Sequence, residues 1–341
     1  MNTPGSTLSP LDAQPVDLVV LGDCNPDVLV LGGDVTPAFG QQEKLVDRMS
    51  LEIGGSASIT AVAAARLGLR VGLVACVGAD AAGRFMLDAL AREGVDVSAV
   101  VVRTGLPTGM TAVLARPGDR GMLTALGAMD SLTAADVPAA LLARTRHVHV
   151  SSYFLLARTL GPGLAGLFAL ARAGGATTSL DTNWDPTERW RDEYLPAAIG
   201  QADLLLPNEV EALALAGFSA VSSIGTGSSL DGVVAASSAL AERGPRVAVK
   251  LGARGVLCVD KSISEQVSLP PVTPVDTTGA GDCCNAGLIT GLLQGLPLAQ
   301  AAALGCAAGA LSTGALGGTA AAPSLAAATD LAAQASFRIP R

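Results

Sequence analysis

The sequence predicts an α/β protein: a central, mostly parallel sheet flanked by helices on both faces, with a small β-strand lid beside it. Three observations carry this. From about Val16 onward, short apolar runs alternate with longer stretches of helical periodicity, the signature of parallel strands joined by helical crossovers. The runs are almost continuously apolar rather than alternating, so both faces of the sheet are expected to be covered. Two segments, within about 27–50 and 100–126, break the rhythm with short alternating strands and turns and should form the lid.

In chain order, strands are expected over 16–22 (VDLVVLG), 70–78 (RVGLVACVG), 147–152 (HVHVSS), 176–183 (ATTSLDTN), 203–208 (DLLLPN), 246–252 (RVAVKLG) and 255–260 (GVLCVD). Each is rich in β-branched or aliphatic residues and bounded by Gly, Asp, Asn or Pro. Helices are expected over 56–67, 84–93, 163–173, 209–216 and 233–243, and a closing pair over 279–293 and 298–313. The pair is dense in Ala and Gly, which permits close packing. It is also the nearest approach to a membrane span, but it is too short, contains Gln300 and has no basic flank. Residues 1–15 read as a disordered lead-in without a signal-peptide pattern, residues 16–330 as one domain, and 331–341 as a tail.

Half of the 341 residues are hydrophobic and 15% are charged, which excludes a disordered chain. The net charge of −8 argues against nucleic acid, whose phosphates need a basic face; no membrane partner is expected either. A small-molecule ligand is the default. Six cysteines form no CxxC pair and have no His at ligand spacing, so zinc is not expected, and reduced thiols fit a cytoplasmic location. His147 and His149 alternate onto one strand face, which suits a structural role better than a metal site lacking a third ligand.

The chemistry concentrates in "DTTGAGDCCNAGL", residues 276–288. A Gly-rich turn opening a helix directs backbone N–H groups and the positive end of the dipole outward, so Gly279, Ala280 and Gly281 suit an anion without any lysine. There are only three lysines, Lys44, Lys250 and Lys261, and no GxxxxGK[ST], so the P-loop reading fails. Asp282, in the first helical turn, is open to two readings. It can cap the helix, the commoner use of such a residue, or it can be a base beside an anion hole. A nicotinamide dehydrogenase is excluded because the turn after the first strand, "LGDCNPD", lacks GxGxxG.

The stretch "DTTGAGDCCNAGLI" resembles the C-terminal signature of the PfkB (ribokinase-like) family of sugar and nucleoside kinases. In family order, "GGSASITAVAAARLGLRVGLVACVGADAAGRFMLDALAREGVDV" (54–97) resembles its N-terminal signature and "LPNEVE" its NxxE element. "VKLGARGVL" (249–257) resembles its nucleotide-side strand, and "LGDCNPDVLV" its first strand. Together these span about residues 17–325.

The resemblance implies an ATP-dependent sugar kinase of ribokinase-like fold. Asp282 would be the base, with Gly279, Ala280, Gly281 and the Asp282 amide as anion hole. Asn208 and Glu211 would organise magnesium and phosphate, Glu211 through water, and Gly252 and Gly255 would lie under the nucleotide. Asp27, Gly54 and Gly55 would meet the acceptor. Asp276 and Thr278 match positions that ligate a monovalent cation, potassium, in several members. Asp181 and Asn183, in "DTNWDPTERW", fall near the phosphates. Each residue also has a plain reading: Asn208 and Glu211 as a capping box, Gly54 and Gly55 as a tight turn, Gly252 and Gly255 as a hairpin turn, Asp181 and Asn183 as turn chemistry. Their joint order favours a site.

Two departures stand out. Ile59 replaces the Asn of "GGxxxN", which meets a sugar hydroxyl, so an acceptor other than simple ribose is expected. Cys284 stands where Phe is common, while Cys283 falls where a helix N-terminus acidifies a thiol. Aromatic residues are 3% of the chain, which favours a sugar over an adenosine-type nucleoside acceptor that must be stacked. A non-catalytic binding protein is the remaining alternative. The lid's outer face suits a homodimer contact.

Overall fold

The computed structural model describes residues 15–116, 119–218, 229–261 and 263–340, and the expected lead-in lies almost wholly outside them. Fifteen strands are described: β1 (Val16–Leu21), β2 (Asn25–Leu31), β3 (Arg48–Gly54), β4 (Val71–Val74), β5 (Cys76–Gly78), β6 (Val101–Arg103), β7 (Met110–Arg116), β8 (Asp119–Ala125), β9 (Thr145–Val150), β10 (Thr177–Leu180), β11 (Leu204–Leu205), β12 (Arg246–Lys250), β13 (Val256–Asp260), β14 (Ile263–Ser268) and β15 (Ser336–Arg338). The helices are α1 (Ser56–Arg66), α2 (Ala81–Arg92), α3 (Ala139–Leu142), α4 (Tyr153–Leu156), α5 (Gly161–Ala173), α6 (Leu195–Gln201), α7 (Glu209–Leu215), α8 (Leu230–Ala241), α9 (Ala280–Leu293), α10 (Leu298–Ser312) and α11 (Leu325–Ala332).

Nine strands make the central sheet in the order β15-β14-β13-β12-β11-β10-β9-β1-β4. From β4 to β12 every neighbouring pair is parallel, and β13, β14 and β15 add an antiparallel edge. The continuous apolar run of β1 explains the layering. Leu18 and Val20 enter one core, under α1, α9 and α10, while Val19 and Leu21 enter the other, against α5 and α6, because successive side chains point to opposite faces.

The lid is a separate four-stranded sheet in the order β3-β2-β7-β8, drawn from both segments that broke the helical rhythm. Its register sorts the side chains by face. Asp27, Glu52, Thr111 and Thr124 share one side; Met49, Leu51, Val28, Val30, Ala112, Leu114 and Leu123 share the other.

Several expected elements differ in extent. The strand over 70–78 splits: β4 stays in the main sheet, and β5 leaves it to pair with β6. The strand over 176–183 stops at Leu180 because Asn183 turns into the left-handed region (φ 53°). The expected tail is not structureless, since β15 pairs with β14. His147 and His149 are structural: they form a buried ladder with Thr177, Ser179 and Ser151 at 2.6–2.8 Å. Burial pulls both imidazoles down, to about 3 and about 4, so they stay neutral. Among the described residues no helix is long and apolar enough to cross a membrane.

Candidate active site

The six parallel strands end toward one rim, and the loops beyond that rim carry the predicted residues. Helix α9 begins there. Its N-cap is Gly279, in the left-handed region at φ 72°, and a Cβ at that position would lie 2.8 Å from the Gly318 backbone and 3.0 Å from Ile59. Only glycine meets both demands. Helix α9 is fixed from behind by α10 through small residues on both, so close that a Cβ on Gly305 would lie 2.7 Å from the Cys284 carbonyl oxygen. Ala280 N donates to the Thr277 carbonyl (3.3 Å), and the first turn of α9 borders a cleft of about 580 Å³, to which the helix dipole adds positive potential beside Lys250 and Arg120.

Asp282 lines this cleft beside Gly279, Ala280 and Gly281. Its carboxylate is bonded outside its own helix and not as a cap. Instead Oδ1 accepts a short hydrogen bond from the Ser56 hydroxyl. Burial pushes the carboxyl up to about 8. Ser56 and Lys250 pull it down, and Asp181 and Asp23 add to the rise.

Lys250 is the cation at the centre of this acidic group. Its ammonium, on a side chain 14% exposed, pairs with Asp181, 1% exposed. It also donates to the Leu206 carbonyl (2.5 Å) and to Asn285 Oδ1 (3.3 Å). Asn285 Nδ2 donates to Asp181 Oδ2 (2.6 Å), and Asn183 N donates to Asp181 Oδ1 (3.2 Å). Burial pulls the Lys250 ammonium down, but Asp181 and Glu211 hold it above its ordinary value.

Asn208 and Glu211 do form a capping box at the start of α7: Glu211 N donates to Asn208 Oδ1 (2.9 Å), while Asn208 N and Nδ2 donate to the two Glu211 oxygens (2.7 and 2.6 Å). Both also line the cleft. The capping and site readings are therefore not rivals, because the cap fixes the carboxylate where the cleft can use it. Burial, with Asp181 nearby, pushes Glu211 well above the usual carboxylate range. Gly252 and Gly255 flank the turn between β12 and β13 and line the next part of the cleft. The far end is apolar, with Leu269, Pro270, Pro271, Val272 and Cys306.

On the opposite side lies a second group, under the lid. Asp27 is 8% exposed and accepts from Asn25 Nδ2 (3.1 Å), which also reaches Thr111 (3.1 Å). Burial, then the charge of Asp23, pushes Asp27 up to about 7. A side chain on Gly54 would overlap the Asp27 carboxylate, so Gly54 is what leaves Asp27 its place. Gly55 is the N-cap of α1. The lid's Arg120 reaches across to Thr277 and Thr278 (3.3 Å each), so the lid touches the loop that opens α9.

Ile59 lies at the base of the loop that opens α9. It is 4% exposed and packs under the loop, against Gly279 and Gly318. Its side chain lies so close that a Cβ on Gly318 would come within 2.5 Å of Ile59 Cδ1. Asp276 accepts from Thr278 N (2.9 Å), Thr278 Oγ1 (2.8 Å) and Gly317 N (2.9 Å). These bonds outweigh burial and hold its carboxyl low. Cys283 is not acidified: burial pushes its thiol up to about 12.

The quoted motifs therefore lie close together: Asp282 in the first turn of α9, Asn208 and Glu211 on the same cleft, and Asp27 on strand β2 of the lid, whose Arg120 touches the loop before α9. A model of the pfkB family of carbohydrate kinases matches residues 17–325. The chain belongs to that family. It is a phosphotransferase acting on a hydroxyl acceptor. It is similar to the ribokinase of Haemophilus influenzae, 30% identical over 302 residues, covering 86% of this chain and 91% of that one. It is also similar to the fructokinase of Klebsiella pneumoniae, 33% identical over 288 residues, covering 79% and 88%. A crystal structure of a putative ribokinase II from E. coli in complex with ATP and Mg2+ has the same fold, with a TM-score of 0.78, 23% identity and coverage of 93% and 98%.

In this pfkB kinase the sequence reading missed Ser56, Asp23, Lys250 and Asn285. Lys250 had a signal: one of three lysines, at the end of an apolar strand, where an unpaired charge would be costly. Asn285 also had one, as an amide three residues after Asp282 on an otherwise apolar helix. Ser56 had none, since its partners are 127 and 226 residues away.

Proposed function

We propose that the chain transfers the γ-phosphoryl group of ATP to a hydroxyl of a small carbohydrate. The observation that carries this is Asp282 in the cleft, directly beside the Gly279–Gly281 turn that opens α9. The acceptor hydroxyl gives its proton to Asp282 as its oxygen bonds to the γ-phosphorus, and the bond from phosphorus to the leaving ADP oxygen breaks. The N–H groups hold the charge of the transferring group, which needs fixed donors more than covalent help. Asp27, Gly54 and Gly55 orient the acceptor. Asn208, Gly252, Gly255, Asp181 and Asn183 line or support the phosphate and nucleotide path.

Magnesium fits at Glu211, which lines the cleft and keeps lone pairs beyond the two N–H bonds it accepts from Asn208, as suits a cation carried mainly by the nucleotide and its waters. When bound, magnesium would neutralise phosphate charge. For Asp276 and Thr278 we propose loop fixation first, given the three bonds that Asp276 accepts; a potassium requirement is tested by exchanging K+ for a bulky organic cation.

Aromatic residues are 3% of the chain, and this supports a sugar over a stacked purine nucleoside as acceptor. Coupled ADP release against a panel of pentoses, hexoses and nucleosides tests it; turnover of nucleosides alone refutes the sugar. Asp282→Asn should lower turnover by about 10²–10⁴-fold while ATP still binds, and undiminished turnover refutes the base. Retention of Asp282 and of the donor row speaks against a silent binding protein.

We further propose that two copies meet through the lid. Met49, Leu51 and Leu123 are 61%, 42% and 66% exposed on one apolar face, and Leu123→Lys should then yield monomers in sedimentation. The six buried, unpaired cysteines are in keeping with the cytoplasm.

A further inference from the structure

Ser56 opens α1, the element that follows lid strand β3 through Gly55. Its backbone N–H donates to Asp23 Oδ2 (3.0 Å), which pins the residue. Its hydroxyl accepts from Asn183 Nδ2 (3.0 Å) and contacts Asp282 Oδ1. A hydroxyl has one proton to give. Because Asn183 supplies a proton to the Ser56 oxygen, the single Ser56 proton points to Asp282. Asn183 is held in turn, with Oδ1 accepting from Ser152 N (2.6 Å) and its own N–H donating to Asp181 (3.2 Å). The directions along this relay are therefore fixed from the loop after β10, through α1, to α9.

We infer that Ser56 is a positioning residue: it binds one oxygen of Asp282, fixes the carboxylate plane, and leaves Oδ2 as the oxygen that receives the acceptor's proton. This rests on the reading of Asp282 as base. A hydrogen bond donated to a carboxylate also favours its ionised form. The charged groups facing Asp282 are Asp23 beyond β1, Asp181 beyond β10 and Lys250 on β12; the Cys283 and Cys284 thiols stay neutral, pushed up to about 12 and about 11 by burial. Among these groups, Ser56 is the uncharged donor touching the carboxylate itself. Since it lies two residues beyond β3, lid position and base geometry share one short segment.

The test is titration of the full chain carrying 13Cγ-labelled aspartate, with the Asp282 resonance identified by its loss in Asp282→Asn. Ser56→Ala should raise the Asp282 midpoint by about one pH unit, the size expected for one hydrogen bond to a charged group. It should move the acid limb of kcat/KM by the same amount, measured with the best sugar of the panel, and lower kcat about tenfold. Ser56→Thr, which keeps the hydroxyl, should restore both. If Ser56→Ala does not fold, Asn183→Gly replaces it, since a left-handed backbone accepts glycine; freeing the hydroxyl to rotate should shift the midpoint in the same direction by less. An unmoved midpoint in a folded variant overturns the inference. Full turnover by Asp282→Asn overturns the base reading instead, so the two failures are distinguishable.

Discussion

Lys250→Met isolates what one ammonium does under the anion hole. The wild-type side chain pairs with Asp181 and donates to Leu206 O and Asn285 Oδ1. Methionine replaces the stem but none of the donors. Asp181, 1% exposed, keeps only Asn285 Nδ2 and Asn183 N, and the Leu206 carbonyl loses its ammonium partner. Leaving one charge of a buried pair without its partner costs about 3–5 kcal/mol, and the orphaned carbonyl adds about 1 kcal/mol. Adding Asp181→Asn should return most of this, because removing both charges removes the desolvation penalty together with the attraction. The assay is urea unfolding of the wild type, both single variants and the double variant at pH 7.5. The cycle should give a coupling of about 3 kcal/mol or more. A loss below about 1 kcal/mol in Lys250→Met, or a double variant no more stable than that single, refutes the argument that the pair is held by burial. Because Lys250 pulls both Asp282 and Glu211 down, the acid limb of activity should also move to higher pH.

Other outcomes follow from the same geometry. Asp27 and Asp282 have folded values of about 7 and about 8, above the unfolded range, so the native state binds more protons. Its stability falls as pH rises toward 8. The buried histidines act in the opposite sense only below about 6.5, where the unfolded imidazoles protonate. Unfolding free energy should therefore drop between pH 6.5 and 8.5, with Asp282 contributing on the order of 1 kcal/mol; a flat profile, or one unchanged in Asp282→Asn, contradicts this. Gly54→Ala should displace the Asp27 carboxylate and lower kcat/KM for the sugar about tenfold or more, with ATP affinity unchanged by calorimetry. Arg120→Ala should raise KM more than it lowers kcat, as a lid contact would; an equal fall in kcat and kcat/KM would place Arg120 in the transition state instead.

The fold was largely legible because its signals are local. Continuous apolar runs need cover on both faces, and the broken rhythm at 27–50 and 100–126 did become the second sheet. What failed was set by distant partners. Strand β15 is three exposed residues whose only strand character is pairing with β14, and β5 departs from β4 to meet β6. The Asn208–Glu211 capping box was readable from its spacing as a cap, while its place on the cleft was legible only through the family resemblance, since β12 and α9 complete that wall.

The sequence by itself determined the Gly-Ala-Gly turn at the start of α9, the carboxylate in its first helical turn, the layered sheet and the family order of motifs, because each depends on spacing within a few residues. Only the tertiary structure decided the surroundings of that carboxylate. It set Ser56 against Asp282, buried Lys250 between Asp181 and Asn285, and packed Ile59 against the loop at Gly279 and Gly318. Those choices depend on contacts among segments up to 226 residues apart. Burial, which sets the charge state of Asp282, is a property of the assembled walls and not of any one segment.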